Sequence, residues 1–261
     1  MKLNALNAGK RVPGSFLPAG PGVGGFGIRR ARERHDGGMG LLDWDHNAYY
    51  HRLLLRQLPN PCTRVLDVGC GAGAFAAELA KRAEHVDAID RSPVMIEAAR
   101  QMTPANVTCI LGDVMRDPLP AEHYDAIVSV TALHHLPLDD ALRRLSRALR
   151  HGGVLAAVAL PRHDLARELP AELLAATGHR VLGAAFAVLR ASGHGGWYRL
   201  GPSHATMPKV LDPLLTTRQV RQHATATLPG AQVRRLIFWR YLLLWKRPIQ
   251  THTAACRQRT A

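Results

Sequence analysis

Cysteine is scarce in this chain: Cys62, Cys70, Cys109 and Cys256 are the only four, with no C-x-x-C pair and no metal-ligand spacing. That excludes a disulfide framework and points to free thiols in a reducing cytoplasm. Aromatic residues make up 5% of the sequence, and no ribonucleoprotein-type aromatic motif, zinc-finger spacing or Lys/Arg block accompanies them. No specific nucleic-acid partner is expected on that basis. No uninterrupted run approaches the roughly 18 apolar residues of a membrane span, and Lys2 is followed by no signal-peptide core. Acidic residues are absent from 213–261, which carry nine Lys/Arg, while residues 1–40 carry seven against two acids. The net charge of +14 therefore resides at the two ends.

What is present divides at about residue 41. Residues 1–40 hold ten of the 23 glycines and almost no apolar periodicity, too little buried surface to offset ordering entropy. They read as a basic, glycine-rich arm, through which a homo-oligomer could form. The match Gly22-x-Gly24-x-x-Gly27 within this arm has the dinucleotide fingerprint's letters. It lacks the strand before it and the helix after it that give the fingerprint its mechanism, so it is set aside.

From residue 41 apolar strands alternate with helices. A helix-compatible run holds Trp44 and Leu53–Leu55 and stops before Pro59 and Pro61. "RVLDV" (64–68), "HVDAID" (85–90), "VTCIL" (107–111), "YDAIVSV" (124–130) and "VLAAVAL" (154–160) read as strands. Residues 73–83, 92–101 and 139–150 read as helices, the second opened by Ser92 and Pro93, the third closed by Gly152 and Gly153. Strands apolar throughout, alternating with helices, predict a doubly wound α/β fold of Rossmann-like type. Residues 161–213 break the rhythm as a helical insertion, interrupted at Pro170 and Gly178, over the sheet's carboxyl edge. A helix over 216–228 and a hairpin over 233–247 follow, so that 214–248 completes the core begun by 41–160, and 249–261 is a polar tail.

The second glycine cluster, "VLDVGCGAGAF" (65–75), does lie between a strand and a helix. Gly69 and Gly71 permit a tight turn and close approach to a ligand, and Gly73 permits helix–strand packing. Asp90 ends the next strand, where it can accept two ribose hydroxyls. Read as Gly69-x-Gly71-x-x-Ala74, the loop also fits an NAD-dependent oxidoreductase. Asp67 discriminates: a pyrophosphate over this loop would face a like charge, at a cost on the order of 4 kcal/mol at about 4 Å and an effective dielectric of about 20. S-adenosylmethionine brings an ammonium and a sulfonium instead.

"VLDVGCGAGAF", "VDAID", "LGDVM" and "YDAIVSVTALHHLPL", in this order, resemble motifs of the class I S-adenosylmethionine-dependent methyltransferases, and especially the broad group similar to the ubiquinone/menaquinone-biosynthesis enzymes. The resemblance covers residues 41–160 in detail. It implies a seven-stranded sheet of order 3-2-1-4-5-7-6 with strand 7 antiparallel, and S-adenosylmethionine as cofactor. It further implies that Asp67 and the 69–73 backbone, including Cys70, hold the methionine end. Asp90 would hold the ribose, Asp113 and Val114 the adenine, with Arg91, Met95 and Thr131 completing the cofactor set. By the same resemblance Trp44, His46, Tyr49 and Tyr50 would cover the cofactor.

Methyl transfer from a sulfonium is an in-line displacement that needs alignment and water exclusion. His134 and His135, just past the fourth strand, are the candidate general bases. Trp197 and Tyr198 would stabilise a carbocation if the acceptor were an alkene. His194, His204 and His223 read as surface residues, and no spacing suggests a metal. The insertion, rich in Ala, Leu and Val, favours a small apolar acceptor such as a quinone-like or secondary metabolite, methylated on carbon or oxygen. An RNA methyltransferase using the basic ends, an oxidoreductase and a non-catalytic partner subunit are the alternatives.

Overall fold

The structure is a computed structural model that describes residues 44–163, 165–193 and 213–249, with side chains described outside 165–172. The glycine-rich arm, the polar tail, and His194, Trp197, Tyr198 and His204 of the insertion lie outside the described residues.

Five apolar strands form the parallel part of the sheet: β1 (Arg64–Val68), β2 (His85–Asp90), β3 (Val107–Leu111), β4 (Tyr124–Val130) and β5 (Leu149–Ala159). Helices cover both faces because residues of both parities are apolar. Val65, Leu66, Ile127 and Val128 are all fully buried though neighbours point to opposite sides. α1 (His46–Leu55) precedes β1; α2 (Ala74–Leu79), α3 (Pro93–Met102) and α4 (Leu138–Ala148) are the crossovers. The long α5 (Leu165–Ala191) and then α6 (Thr217–Thr227) lead to β6 (Gln232–Leu236) and β7 (Arg240–Lys246). The sheet order is β3-β2-β1-β4-β5-β7-β6, with β7 antiparallel to both neighbours, the order and polarity that the resemblance implies.

Local chemistry sets the helix starts. Asp45 accepts the amides of Asn47 and Ala48 at 2.8 and 3.1 Å to cap α1. Ser92 caps α3 ahead of Pro93, and Thr216 with Gln219 forms a capping box on α6. α4 turns Ala141, Leu142, Leu145 and Ala148 into the core.

Several expected boundaries are corrected. The helix expected to reach Arg150 ends at Ala148, and Gly152–Gly153 lie inside β5 instead of closing a helix. Tyr124 pairs with Leu149 but Ala126 pairs with Val154, so the glycines form a bulge. Space demands them: a Cβ on Gly153 would sit 2.9 Å from the Arg150 carbonyl and 3.1 Å from that of Asp125. The helix expected over 73–83 stops at Leu79.

α5 runs unbroken through Pro170 and Gly178. Near a helix start a proline forfeits one backbone bond, and at Gly178, which packs against the Phe238 ring, a Cβ would stand in ordinary contact at 3.5 Å, so neither residue need break the helix. Its stretch Leu173–Ala191 is, by length and composition alone, apolar enough to cross a membrane, although His179, Arg180 and Arg190 interrupt the apolar run. One face packs Phe186, Leu182 and Leu189 onto the core, while Leu174, Val181 and Val188 are exposed.

Candidate active site

Every predicted cofactor residue except Tyr50 lies at the carboxyl ends of the parallel strands, Asp67 and Asp90 in the last residues of β1 and β2 and the others on the loops and helix starts that follow. The 69–73 loop is pinned there because the amides of Gly69 and Cys70 both donate to the Ile89 carbonyl, at 2.8 and 3.1 Å. Gly69 adopts φ +72° and packs so tightly on the β4 loop that a Cβ would stand 2.2 Å from that of Ala132. Cys70 is buried, and burial pushes its thiol above the usual range, so it acts as loop packing and not as a nucleophile.

Asp90 closes the loop from the β2 side. Its carboxylate accepts the Gly71 amide at 2.9 Å and the Ser92 amide at 2.9 Å, leaving lone pairs on each oxygen for a diol. Asp67 is 1% exposed, and its Oδ2 is buried with no hydrogen-bond partner. Burial, and secondarily the charge of Asp90, raise its carboxyl to about 7. An unpartnered carboxylate behind a backbone cradle is built to meet a cation.

Beyond β3, Asp113 accepts the Met115 amide at 2.9 Å, which orders the turn and leaves Val114 buried as an apolar floor. Met95 packs in the core below, and Arg91 is exposed at the rim. Thr131 follows β4 at φ +55°, a costly conformation for a β-branched residue, held by the hydrogen bond that its amide donates to the Val158 carbonyl at 2.7 Å. The chain then makes a single 3₁₀ turn, Leu133–His135.

The two histidines of that turn differ. His135 is exposed. His134 is half-buried, with Nδ1 buried and unpartnered; burial, then His135 and Arg240, lower it to about 3, so it is neutral at pH 7 and weakly basic. It stands at a cavity of about 130 Å³ formed with Leu133, Leu136, Leu160, Leu215 and Tyr241.

Tyr50, expected over the cofactor, is buried and donates its hydroxyl to the Ile237 carbonyl of the β6–β7 turn. Trp44, His46 and Tyr49 join Phe238 in one aromatic cluster with α5, where His46 Nε2 meets His179 Nδ1 at 2.9 Å. His223 is a surface residue, paired with Asp139 at 2.9 Å. Sequence reasoning missed Arg240, the first residue of β7. Its Nη2 donates to Asn47 Oδ1 at 3.1 Å and its Nη1 to the Phe238 carbonyl at 3.0 Å, while Nε is buried without a partner. A lone cation in the apolar run "IFWRYLLLW" is the signal that could have found it. Among the described residues no cluster of three or more His, Cys, Asp or Glu is placed to hold a metal.

Residues 65–153 match the methyltransferase domain family. Over 211 residues the chain is 35% identical to an uncharacterized methyltransferase of Mycobacterium tuberculosis, covering 79% of this chain and 98% of the relative. The chain belongs to the class I S-adenosylmethionine-dependent methyltransferases. This methyltransferase is also 36% identical over 105 residues to the malonyl-[acyl-carrier protein] O-methyltransferase of Serratia marcescens, a match spanning 40% of this chain and 41% of that enzyme. In fold it is similar to the N-methyltransferase NodS of Bradyrhizobium japonicum in complex with S-adenosyl-L-homocysteine, at 20% identity and TM-score 0.51, covering 79% of this chain and 90% of that one. Family membership sets the oxidoreductase alternative aside. S-adenosylmethionine suits the residues present: its ammonium and sulfonium answer the unpartnered Asp67 oxygen, and its neutral nucleoside avoids the repulsion a pyrophosphate would meet.

Proposed function

We propose that this methyltransferase acts on a small, largely apolar metabolite, delivering the methyl group to oxygen or carbon. The observation that supports this is the apolar cavity of about 130 Å³ beside the 3₁₀ turn, at the carboxyl end of β4. In this reading Asp67 and the 69–73 backbone hold the amino-acid end of the cofactor, Asp90 the ribose, and Asp113 with Val114 the adenine. Cys70, Arg91, Met95 and Thr131 complete the surroundings. Bound S-adenosylmethionine supplies an electrophilic methyl carbon on a sulfonium sulfur. The protein's work is alignment and exclusion of water, for which the 161–213 insertion, with α5 as its described part, serves as the lid.

With its basicity depressed, His134 orients the acceptor by hydrogen bonding; His135 is the better placed of the two to take a proton from solvent-facing chemistry. A cytoplasmic setting is part of the proposal and rests on the free thiols of Cys62, Cys70 and Cys109.

Calorimetric titration with S-adenosylmethionine, S-adenosylhomocysteine and NAD, in wild type and Asp90→Ala, tests the site. Binding of the first two, weakened at least tenfold by the substitution, is expected; binding of NAD alone would refute it. Labelled methyl donor then separates acceptors: incorporation into apolar metabolites is expected, and incorporation into RNA alone, with steep salt dependence, would move the reading to the RNA alternative.

A further inference from the structure

We propose that the outward face of α5 docks on an anionic lipid bilayer, at whose surface the protein rests without spanning it. The inference does not depend on the identity of the acceptor. A helix with apolar residues all round is ordinarily enclosed, by protein or by lipid. α5 carries apolar residues all round over Leu173–Ala191, yet only 17% of that stretch is buried within the protein.

Its two faces separate by helical spacing. Ala175 and Phe186 are buried, and Leu182 and Leu189 pack beside Phe186 on the core. Leu174, Thr177, Val181, Ala184, Ala185 and Val188 share the outward arc, and all six are exposed. Leu174, Val181 and Val188 recur every seven residues at 65, 62 and 67% exposure, a seam about 21 Å long. None of the six is charged. Arg180 stands exposed at the edge of the arc, where its stem can lie along apolar surface and its guanidinium can reach headgroups.

Charge selects the occupant. The chain carries a net +14, and Arg29, Arg30, Arg32 and Arg34 cluster, against Glu33 and Asp36, ten to fifteen residues ahead of Trp44. Trp44 lies against the middle of α5: its Nε1 donates to the His179 carbonyl at 3.4 Å, and its ring meets Phe186 edge-on at 5.2 Å. Ten residues of chain span up to about 35 Å, so the length of the arm allows its basic cluster to reach the surface on which α5 would lie. An apolar face and a basic cluster together are the two signals that hold a protein at an anionic bilayer. A nucleic acid would match the charge and leave the apolar face uncovered. A second copy fits worse: two seams of about 21 by 10 Å would bury on the order of 400 Å² between them, against roughly 1,200 Å² for a stable interface. Each copy would also bring the same positive charge.

Flotation of the full chain with vesicles of phosphatidylcholine, alone or mixed with phosphatidylglycerol, tests the proposal. Wild type is expected to bind the mixed vesicles at least tenfold tighter, with the difference shrinking at high salt. Leu174→Asp, Val181→Asp and Val188→Asp together should weaken that binding at least tenfold. Arg29→Gln, Arg30→Gln, Arg32→Gln and Arg34→Gln together should remove most of the preference for the mixed vesicles. Binding to neither vesicle, equal binding to both, binding that survives the α5 substitutions, or a preference that survives the arginine substitutions overturns the proposal. So does a lipid-free wild-type dimer, seen by sedimentation, that the α5 substitutions dissociate, because the face would then belong to a second copy. Thermal melts report whether each variant folds, and the wild-type comparison of the two vesicles decides even where a variant is lost. Failure here leaves the methyltransferase site untouched, since no arm of the test reads cofactor or acceptor.

Discussion

Asp67 pays for its position before any cofactor arrives. Its folded-state carboxyl is raised from 3.8 to about 7, so the group favours the native state below pH 3.8, and that contribution is lost as the pH rises through 7. Above pH 7 the buried charge opposes folding, by an upper limit of about 4 kcal/mol. Asp67→Asn is therefore expected to raise the melting temperature of the cofactor-free protein at pH 8 while abolishing cofactor binding. The wild-type affinity for S-adenosylmethionine should fall by up to tenfold per pH unit below 7, because the cation requires the ionised carboxylate. Calorimetry in buffers of different ionisation enthalpy would register the released proton. Gly69→Ala is expected to weaken cofactor binding at least tenfold and lower stability, since its Cβ collides with Ala132 and its φ is left-handed; thermal melts with and without cofactor check it. Asp67, the glycines and Asp90 were legible because a cofactor loop constrains spacing along one short segment. The Arg240–Asn47 and Tyr50–Ile237 bonds were not, because both join groups more than a hundred residues apart in the chain.

Elements were legible where hydrophobic periodicity set them and misread where glycine was taken only as a terminator. In β5 Gly152 and Gly153 keep the strand going by bulging it, a role that depends on carbonyls of Arg150 and Asp125 invisible in a linear reading. Gly153→Val should cost about 1–3 kcal/mol by overpacking, measured by urea unfolding. In the β6–β7 turn, Phe238 and Trp239 both adopt φ near +58°, an unusual conformation for aromatic residues. The strain is offset by burial: Phe238 is 1% exposed, stacks on His46 and supports α5 at Gly178. Phe238→Ala is expected to destabilise by about 3–5 kcal/mol and to raise proteolytic cleavage within α5.

For the whole molecule, the alternation of apolar strands and helices dictated a parallel sheet, but placing β7 between β5 and β6 needed the resemblance, since both placements satisfy the same periodicity. The chain partitions between Gly38 and Met39, close to the expected boundary at residue 40. A chain beginning at Met39 is expected to melt within a few degrees of the full-length protein; comparing its size and activity with the full chain then isolates what the arm contributes to assembly. The sheet order also governs how the chain folds as it is made. β5, apolar along Val154–Ala159, gains its second neighbour only when β7, the last strand in chain order, has been synthesised. Until then the nascent sheet carries an open, fully apolar edge, so a ribosome stalled anywhere between α5 and β7 would release a chain primed for intermolecular strand pairing.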